Sequence, residues 1–479
     1  MKHLFTLAAA FALVSAFSAN AEVRLPSIIS DNMVLQQQAD AALWGWAEPG
    51  RKVSVKTGWD KKKTVVTADS ESGKWMVRVA TPAAGGPYEI TISDGKPVTL
   101  HNVLIGEVWY CSGQSNMEMK MVGYASQPAK GAAEAVACAN PSRPIRICKV
   151  PHLYALEPQD TTAGSWKENT PDAIAESSAP AWFFADMLEK ALGVPVGLLE
   201  AAWGGSSIEA WMPRDLIEKE FPEFDLSHLN GGRKFTEDQR RKLPCMIYNG
   251  EANPIIPFTF KGMLWYQGES NRARPDQYAR LQIEFVKMMR EKYEYPDMPF
   301  YFVQISPYPY GDPDSFMLGY FYEAQQKALE AIPNSGMVTT CDIGEKDALH
   351  PSRKDLVGKR LAMLALQHSY GRLAINADAP TYKSVRFKDG VATVQFNVDG
   401  NGLNPKGERA LMGFEIAGED KVFHKADAAV YKNCYVKLKC DAVPNPVAVR
   451  YCFRNWCQGN LYNCWGIPAA PFRTDDWNL

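Results

Sequence analysis

Histidine is scarce in this chain, with seven in 479 residues, so a reaction that needs an imidazole base has few places to find one. Other shortages exclude whole classes of function. Neither sign of charge dominates: Lys and Arg number 52, Asp and Glu 54, and the formal net charge is -2. That balance, with no long basic run, gives no general attraction to nucleic acid or to an anionic membrane surface. Beyond residue 21 no stretch is long and apolar enough to span a bilayer. The ten cysteines never fall in C-x-x-C spacing, which argues against a zinc ribbon or a redox motif. No metal and no cofactor are therefore expected. The G-x-S-x-G elbow of α/β-hydrolases is absent as well.

What is present begins at the N-terminus. Lys2 and His3 precede an apolar run over 4–17, and Ala19-Asn20-Ala21 follows. A basic start, a short apolar segment and a small-residue cleavage site predict a secretory signal peptide over 1–21 and an exported, periplasmic or extracellular chain. Export permits disulfides. Five cysteines crowd the C-terminal end: Cys434, Cys440, Cys452, Cys457 and Cys464. Cys434 and Cys440 share the parity of one expected strand, ~20 Å apart, and so cannot bridge each other.

The mature chain is too long for one ordinary domain and changes texture twice. Over 22–102, short alternating strands separated by Pro49-Gly50, Ser72-Gly73 and Gly85-Gly86-Pro87 predict an N-terminal β-sandwich-like domain. Over 103–375, apolar strands at 103–111, 145–150, 194–202, 260–267, 300–305 and 336–341 alternate with helical patterns at 181–192, 277–293, 323–331 and 353–369. That pattern predicts an α/β catalytic domain with a mainly parallel sheet between helices. Over 376–479 strands return, at 385–387, 391–398, 430–438 and 447–451, predicting a second β domain. In an open parallel sheet ligands bind beyond the carboxyl ends of the strands, so the residues after each strand are the ones to inspect.

After the first strand comes Gly113-Gln114-Ser115-Asn116-Met117. A serine at a sharp strand-to-helix turn stands above the sheet, with its own N–H aimed at an oxyanion forming on an attacked carbonyl. The bland alternative is a helix-capping serine. Of the histidines, His3 leaves with the signal peptide, His101 and His424 fall in the β regions, and His152 and His228 lie in irregular segments without an evident acid. His368 sits late in a helix with no acid at a useful spacing. His350 follows the last parallel strand, stands three residues after Asp347 and precedes Pro351, which keeps it extended. Asp347 is thus expected at Nδ1, leaving Nε2 for Ser115. Ser352 and Asp355 resemble a capping box for the helix that follows. Two further strand ends, Trp203-Gly204-Gly205-Ser206-Ser207 and Tyr266-Gln267-Gly268-Glu269-Ser270-Asn271, offer backbone N–H groups at the glycines and the Gln267 or Asn271 side-chain amide to an oxyanion.

Together these segments resemble the sialate O-acetylesterases of the SGNH-hydrolase superfamily. The nucleophile block runs from Gly106 to Glu118. The blocks at Trp203–Ser206, Trp265–Asn271 and Asp347-x-x-His350-Pro351 follow in the same order, and the likeness continues into Tyr462-Asn463 and the run from Pro468 to Asp475. The resemblance implies a flavodoxin-like, three-layer catalytic domain flanked by β domains, and removal of O-acetyl groups from sugars. It implies Ser115 as nucleophile, His350 as base, Asp347 as its partner, and Gly204 and Gly205 in the oxyanion hole. The third block departs from the superfamily's Gly-x-Asn-Asp, leaving Gln267 and Asn271 as alternative amide donors. Gln114, Asn116 and Glu269 are expected to support the site from behind. An O-acetylated sugar, above all an acetylated sialic acid, is the expected substrate; acetyl-xylan or another polysaccharide is the alternative. Arg272 and Arg274 could meet an anionic sugar. A different class, a carbohydrate-binding protein without catalysis, would use Trp109, Trp203, Trp211, Trp265 and Tyr266 to stack on sugars.

Overall fold

The computed structural model describes residues 22–232, 234–405 and 410–478; the expected signal peptide lies outside the described residues. The organising element is one long strand, β1 (Pro97–Gly113). Its first half has mixed exposure, and from Val103 onward every residue is buried, as a strand covered on both faces requires. The first half pairs antiparallel with Gly85–Ser93, and residues 104–106 pair parallel with Val34–Gln36. The last seven residues pair parallel with two strands of the catalytic region. The change of texture expected at 102/103 is therefore a change of partners within a strand, not a linker. Asn102 marks it, with φ 55 and its side-chain amide donating to Asn32 Oδ1 at 2.7 Å.

Five more strands complete the parallel sheet: β2 (Ile145–Lys149), β3 (Val196–Ala202), β4 (Gly262–Tyr266), β5 (Phe300–Val303) and β6 (Ser335–Val338). Their order is β6-β5-β4-β1-β3-β2, with Trp166–Glu168 antiparallel at the edge. The sheet grows outward from β1 in both directions, so the topological switch point lies at the carboxyl end of β1. Helices α1 (Ala179–Leu192) and α4 (Lys354–His368) share one buried cluster with Trp109, Leu198 and Tyr301. Helices α2 (Pro275–Lys292) and α3 (Met317–Ala331) share another with Tyr110, Trp265 and Phe302. Alternate residues of the sheet thus feed opposite cores, giving a mixed α/β fold with helices on both faces. Among the described residues no helix is long and apolar enough to cross a membrane.

The C-terminal region is all β, in two four-stranded antiparallel sheets and one two-stranded sheet. The stretch expected as one strand at 430–438 is instead a hairpin. Asp427–Tyr431 pairs with Tyr435–Lys439 around Lys432 and Asn433, which take positive φ. Cys434 and Cys440 flank the second of these strands, and all ten cysteines are free. The terminal motif has a structural task. Asp475 clamps Arg450 by two bonds of 2.7 and 3.0 Å, with both side chains sealed from solvent, while the rings of Phe316, Phe423 and Phe453 cover the guanidinium. Asp475→Asn leaves that buried cation without its counter-charge and should destabilise the protein by about 3–5 kcal/mol, measurable by denaturant unfolding.

Candidate active site

Three strand ends meet at one level. Gly113 of β1 is in register with Ala202 of β3 on one side and Tyr266 of β4 on the other. The segments that follow, at Gln114, Trp203 and Gln267, therefore leave the sheet side by side. Gly113 has φ 142, and a Cβ there would stand 2.2 Å from the Tyr266 carbonyl oxygen, so the turn into Ser115 needs glycine. Gln114 then caps the neighbouring turn. Its Oε1 accepts from Gly268 N–H at 3.2 Å, Ser270 N–H at 3.3 Å and Gln267 Nε2 at 3.0 Å.

Ser115 opens a one-turn helix, Ser115–Glu118, for which Gln114 is the N-cap residue, so the serine hydroxyl is not spent on capping. It faces His350, whose Nε2 lies 2.8 Å from Ser115 Oγ. The other ring nitrogen corrects the expectation from the sequence. Nδ1 lies 2.8 Å from Gln127 Oε1, and the His350 backbone N–H donates to the same oxygen at 3.3 Å. Two N–H donors on one oxygen fix the tautomer: Nδ1 carries the hydrogen and Nε2 accepts from Ser115. Asp347 is exposed and forms no hydrogen bond with the ring. It sits with Lys346 at the tip of a turn closed by the Glu345–Ala348 bridge, which carries the carboxylate out to solvent. Gln127 comes from another tight turn, bridged to Tyr124. The Tyr124 ring packs edge-on against His350 at 4.8 Å, and its hydroxyl donates to the Ser115 carbonyl at 3.1 Å. The expected capping box is likewise replaced. Ser352 donates through N–H and Oγ to Glu345 Oε1 at 2.9 and 2.6 Å, and Asp355 pairs with Arg353.

The two side-chain amides proposed for the oxyanion hole are committed to the framework. Gln267 is fully buried, and its Nε2 faces Gln114 Oε1, Ser206 O and Asn271 Oδ1 within 3.1 Å. Asn271 Nδ2 donates to Glu209 Oε2 at 2.8 Å. Gly204 N–H is also taken, by Glu118 Oε2 at 2.6 Å. Among the described residues the Ser115 and Gly205 N–H groups donate to no protein acceptor. Gly205 itself is held in place, its carbonyl accepting from Ser270 Oγ at 2.9 Å and its φ at 73.

Glu118 does more than hold Gly204. Its Oε1 meets His152 Nε2 at 3.0 Å, and the His152 ring lies flat on Trp203, 4.3 Å between centroids. Burial works to raise the Glu118 pKa, but the His152 contact and the Gly204 N–H outweigh it and hold it below the usual range. At His350 burial is the main influence, lowering the pKa to about 4. Lys354 pushes the same way, and Glu118 opposes them.

Beneath Ser115 runs a buried chain of hydrogen bonds. Lys354 Nζ donates to Asn116 Oδ1 at 2.6 Å and to Pro351 O at 2.9 Å, and Asn116 Nδ2 donates to Glu269 Oε1 at 2.5 Å. Burial pushes Lys354 down to about 7 and Glu269 up. This chain ties the residue after Ser115 to the one after His350, so it sets their separation. Gln114, Asn116 and Glu269 are thus all engaged in buried hydrogen bonds next to Ser115 and His350. Gln127, Glu118, His152 and Lys354 were not read from the sequence. Each pairs with a residue at least 34 positions away or, for Lys354, sits in a helix that reads as ordinary. His368 also has an unforeseen acid, Asp378, ten residues on at 2.9 Å. Among the described residues no cluster of three or more His, Cys, Asp or Glu could hold a metal ion. Trp109, Trp203, Trp211, Trp265 and Tyr266 are buried core residues, not a sugar-stacking surface.

Residues 105–367 match the family described as carbohydrate esterase, sialic acid-specific acetylesterase. The chain is 27% identical over 423 residues to the sialate O-acetylesterase of Mus musculus, covering 77% of each. To the Homo sapiens sialate O-acetylesterase it is 27% identical over 398 residues, covering 76% of this chain and 74% of the other. The crystal structure of a carbohydrate acetylesterase from Xanthomonas citri superposes with a TM-score of 0.84 at 34% identity, covering 95% of this chain and all of that one. The chain therefore belongs to the sialic acid-specific acetylesterase family of carbohydrate esterases.

Proposed function

We propose that this protein is an exported serine esterase that removes O-acetyl groups from sugars through an acetyl-enzyme on Ser115. One observation carries the reading: Ser115 Oγ and His350 Nε2 are 2.8 Å apart at the switch point of the sheet. His350 accepts the hydroxyl proton as Oγ attacks the acetyl carbonyl, and returns it to the departing sugar hydroxyl. Water, deprotonated by the same imidazole, then releases acetate. Ser115 and Gly205 N–H are the groups left to hold the oxyanion. Gln127 keeps the imidazole in the productive tautomer, and Glu118 is the negative charge that favours its protonated form. The test is release of acetate from acetylated sugars by the purified chain, with Ser115→Ala as control; no release from any of them would overturn the proposal.

O-acetylated sialic acids are the first substrate to try. A second reading, a neutral acetylated polysaccharide, is favoured by the fate of the two arginines. Arg274 is neutralised by Glu209 at 2.6 Å. Arg272 lies over the Tyr310 ring at 4.1 Å and donates to Glu269 O at 2.6 Å. Arg274 is thus spent on a carboxylate of the protein itself, and the Arg272 guanidinium is covered on one face by a ring. A panel of acetylated sialic acids, xylan and other polysaccharides separates the two readings.

The acid limb of activity follows from His350. The base must be neutral, and its folded pKa lies at about 4, so kcat/KM should hold through pH 6 and fall about tenfold per pH unit only below 4. An acid limb near 6.5 in a stopped-assay profile would contradict this account of the imidazole.

A further inference from the structure

Arg241 follows a one-turn helix, Glu237–Arg240, and its main chain docks beside the glycine pair at 204–205. Ser207 N–H donates to Arg241 O at 3.3 Å, and Ser207 Oγ donates to Lys242 O at 2.9 Å. The Arg241 side chain then turns back over the glycines. Its Nη1 donates to Gly204 O at 2.9 Å and its Nη2 to Asp238 Oδ1 at 2.5 Å, so two separate nitrogens hold the guanidinium. The group fills the space that a side chain at position 205 would need. A Cβ on Gly205 would stand 2.8 Å from both Arg241 Cζ and Nε.

Three successive peptide units of this turn are each held by one side chain. Glu118 accepts from Gly204 N–H, Arg241 donates to Gly204 O, and Ser270 Oγ donates to Gly205 O. The middle unit is the one whose N–H, on Gly205, donates to no protein acceptor among the described residues. That unit is trans and planar, so its C=O and N–H point in opposite directions and cannot turn independently. With glycine on both sides the plane would otherwise rotate with little steric hindrance. The Arg241 bond removes that freedom. A cationic donor on the carbonyl also polarises the amide, which makes the N–H of the same unit a stronger donor.

We propose that Arg241 is a positioning residue for the reaction, fixing and polarising the Gly205 N–H that holds the oxyanion formed when Ser115 attacks the ester. The proposal rests on the serine esterase reading and adds to it the side chain that sets one oxyanion donor. Negative charge builds on the carbonyl oxygen in the transition state, so the donor matters more there than in the bound ester. Losing Arg241 should therefore lower kcat and leave KM nearly unchanged.

The test compares Arg241→Met with the unaltered full chain on a chromogenic acetate ester; methionine keeps bulk over Gly205 but donates no hydrogen bond. The expected result is a kcat lower by about 10–100-fold, short of losing a whole oxyanion donor, with KM within about threefold. An alkylboronic acid that adds to Ser115, and so mimics the tetrahedral intermediate, should bind more weakly by a similar factor. The acid limb of kcat/KM should keep its parental position, because His350 is untouched. An unchanged kcat, a loss confined to KM, or a displaced acid limb would overturn the proposal. Should Arg241→Met fail to fold, Arg241→Lys decides. Its single ammonium cannot hold Gly204 O and Asp238 through separate nitrogens, so a kcat equal to the parent's overturns the proposal and a lower kcat at parental KM supports it. Ser115→Ala, run alongside, tells the two failures apart. If it is inactive while Arg241→Met is fully active, the serine esterase stands and only the role of Arg241 falls.

Discussion

Ser115→Ala should lower kcat on a chromogenic acetate ester by about 10³-fold or more while leaving the unfolding curve close to that of the parent. The magnitude follows from losing the covalent route altogether, since among the described residues no other hydroxyl is placed on His350 Nε2. The unchanged stability follows from how little the hydroxyl does for the fold: it is not a helix cap, and among the described residues its one side-chain bond is to His350. The residue's backbone carries the structural burden, with Ser115 O accepting from Met119 N–H at 2.9 Å and from Tyr124 Oη at 3.1 Å, and alanine keeps both. Side-by-side kcat and denaturant melts check both halves. Full activity in the alanine variant would end the assignment of Ser115.

Gln127 carries the second large expectation. Gln127→Ala should cost about 10²-fold in kcat, the lower part of what a positioned general base contributes, because the imidazole loses the acceptor that fixes its tautomer. Asp347→Asn should change kcat by no more than about threefold, the range of an ordinary surface substitution. The pair of variants decides between the two candidates for Nδ1, because a family-like role for Asp347 predicts the reverse order. Gln127→Glu gives a signed control. A carboxylate at Nδ1 favours the imidazolium, so the pKa of His350 rises from about 4 and the acid limb of kcat/KM moves to higher pH with it. A profile that stays in place in Gln127→Glu would show that residue 127 does not act through the ring.

The parts legible in the sequence were those fixed by local rules. Alternating strands and helices mark out the parallel sheet, and the rule that ligands gather at strand ends directs attention to Ser115, Gly204-Gly205 and the Gln267 turn from the sequence. Eliminating other histidines led to His350 for a sound reason, since so few were available. The partner of His350 was not legible, because Gln127 lies 223 residues away in a turn that reads as surface. Asp347 was attractive through its spacing and the family resemblance, and neither can tell which side of a two-residue turn faces the ring. The amide donors failed similarly. Gln267 and Asn271 have the right chemistry, yet burial obliges their hydrogens to satisfy Ser206 O, Gln114 and Glu209. Arg272 and Arg274 read from the sequence as surface arginines that could meet an anionic sugar, and only the fold shows their neighbours, Tyr310 and Glu209.

The strand that spans Pro97–Gly113 turns the N-terminal region into a gauge for the nucleophile. Its far end is fixed by pairing with Gly85–Ser93, and its near end delivers Ser115 two residues beyond Gly113. Along a strand, one residue is half a pleat, so adding or deleting a single residue between Leu100 and Leu104 would invert the facing of all that follows or force a bulge to absorb it. A change of two would keep the facing but carry the serine ~7 Å past the histidine. The N-terminal β region is thus held to a fixed residue count along this strand, and a graft of the α/β region onto another β domain has to preserve the phase of a single strand.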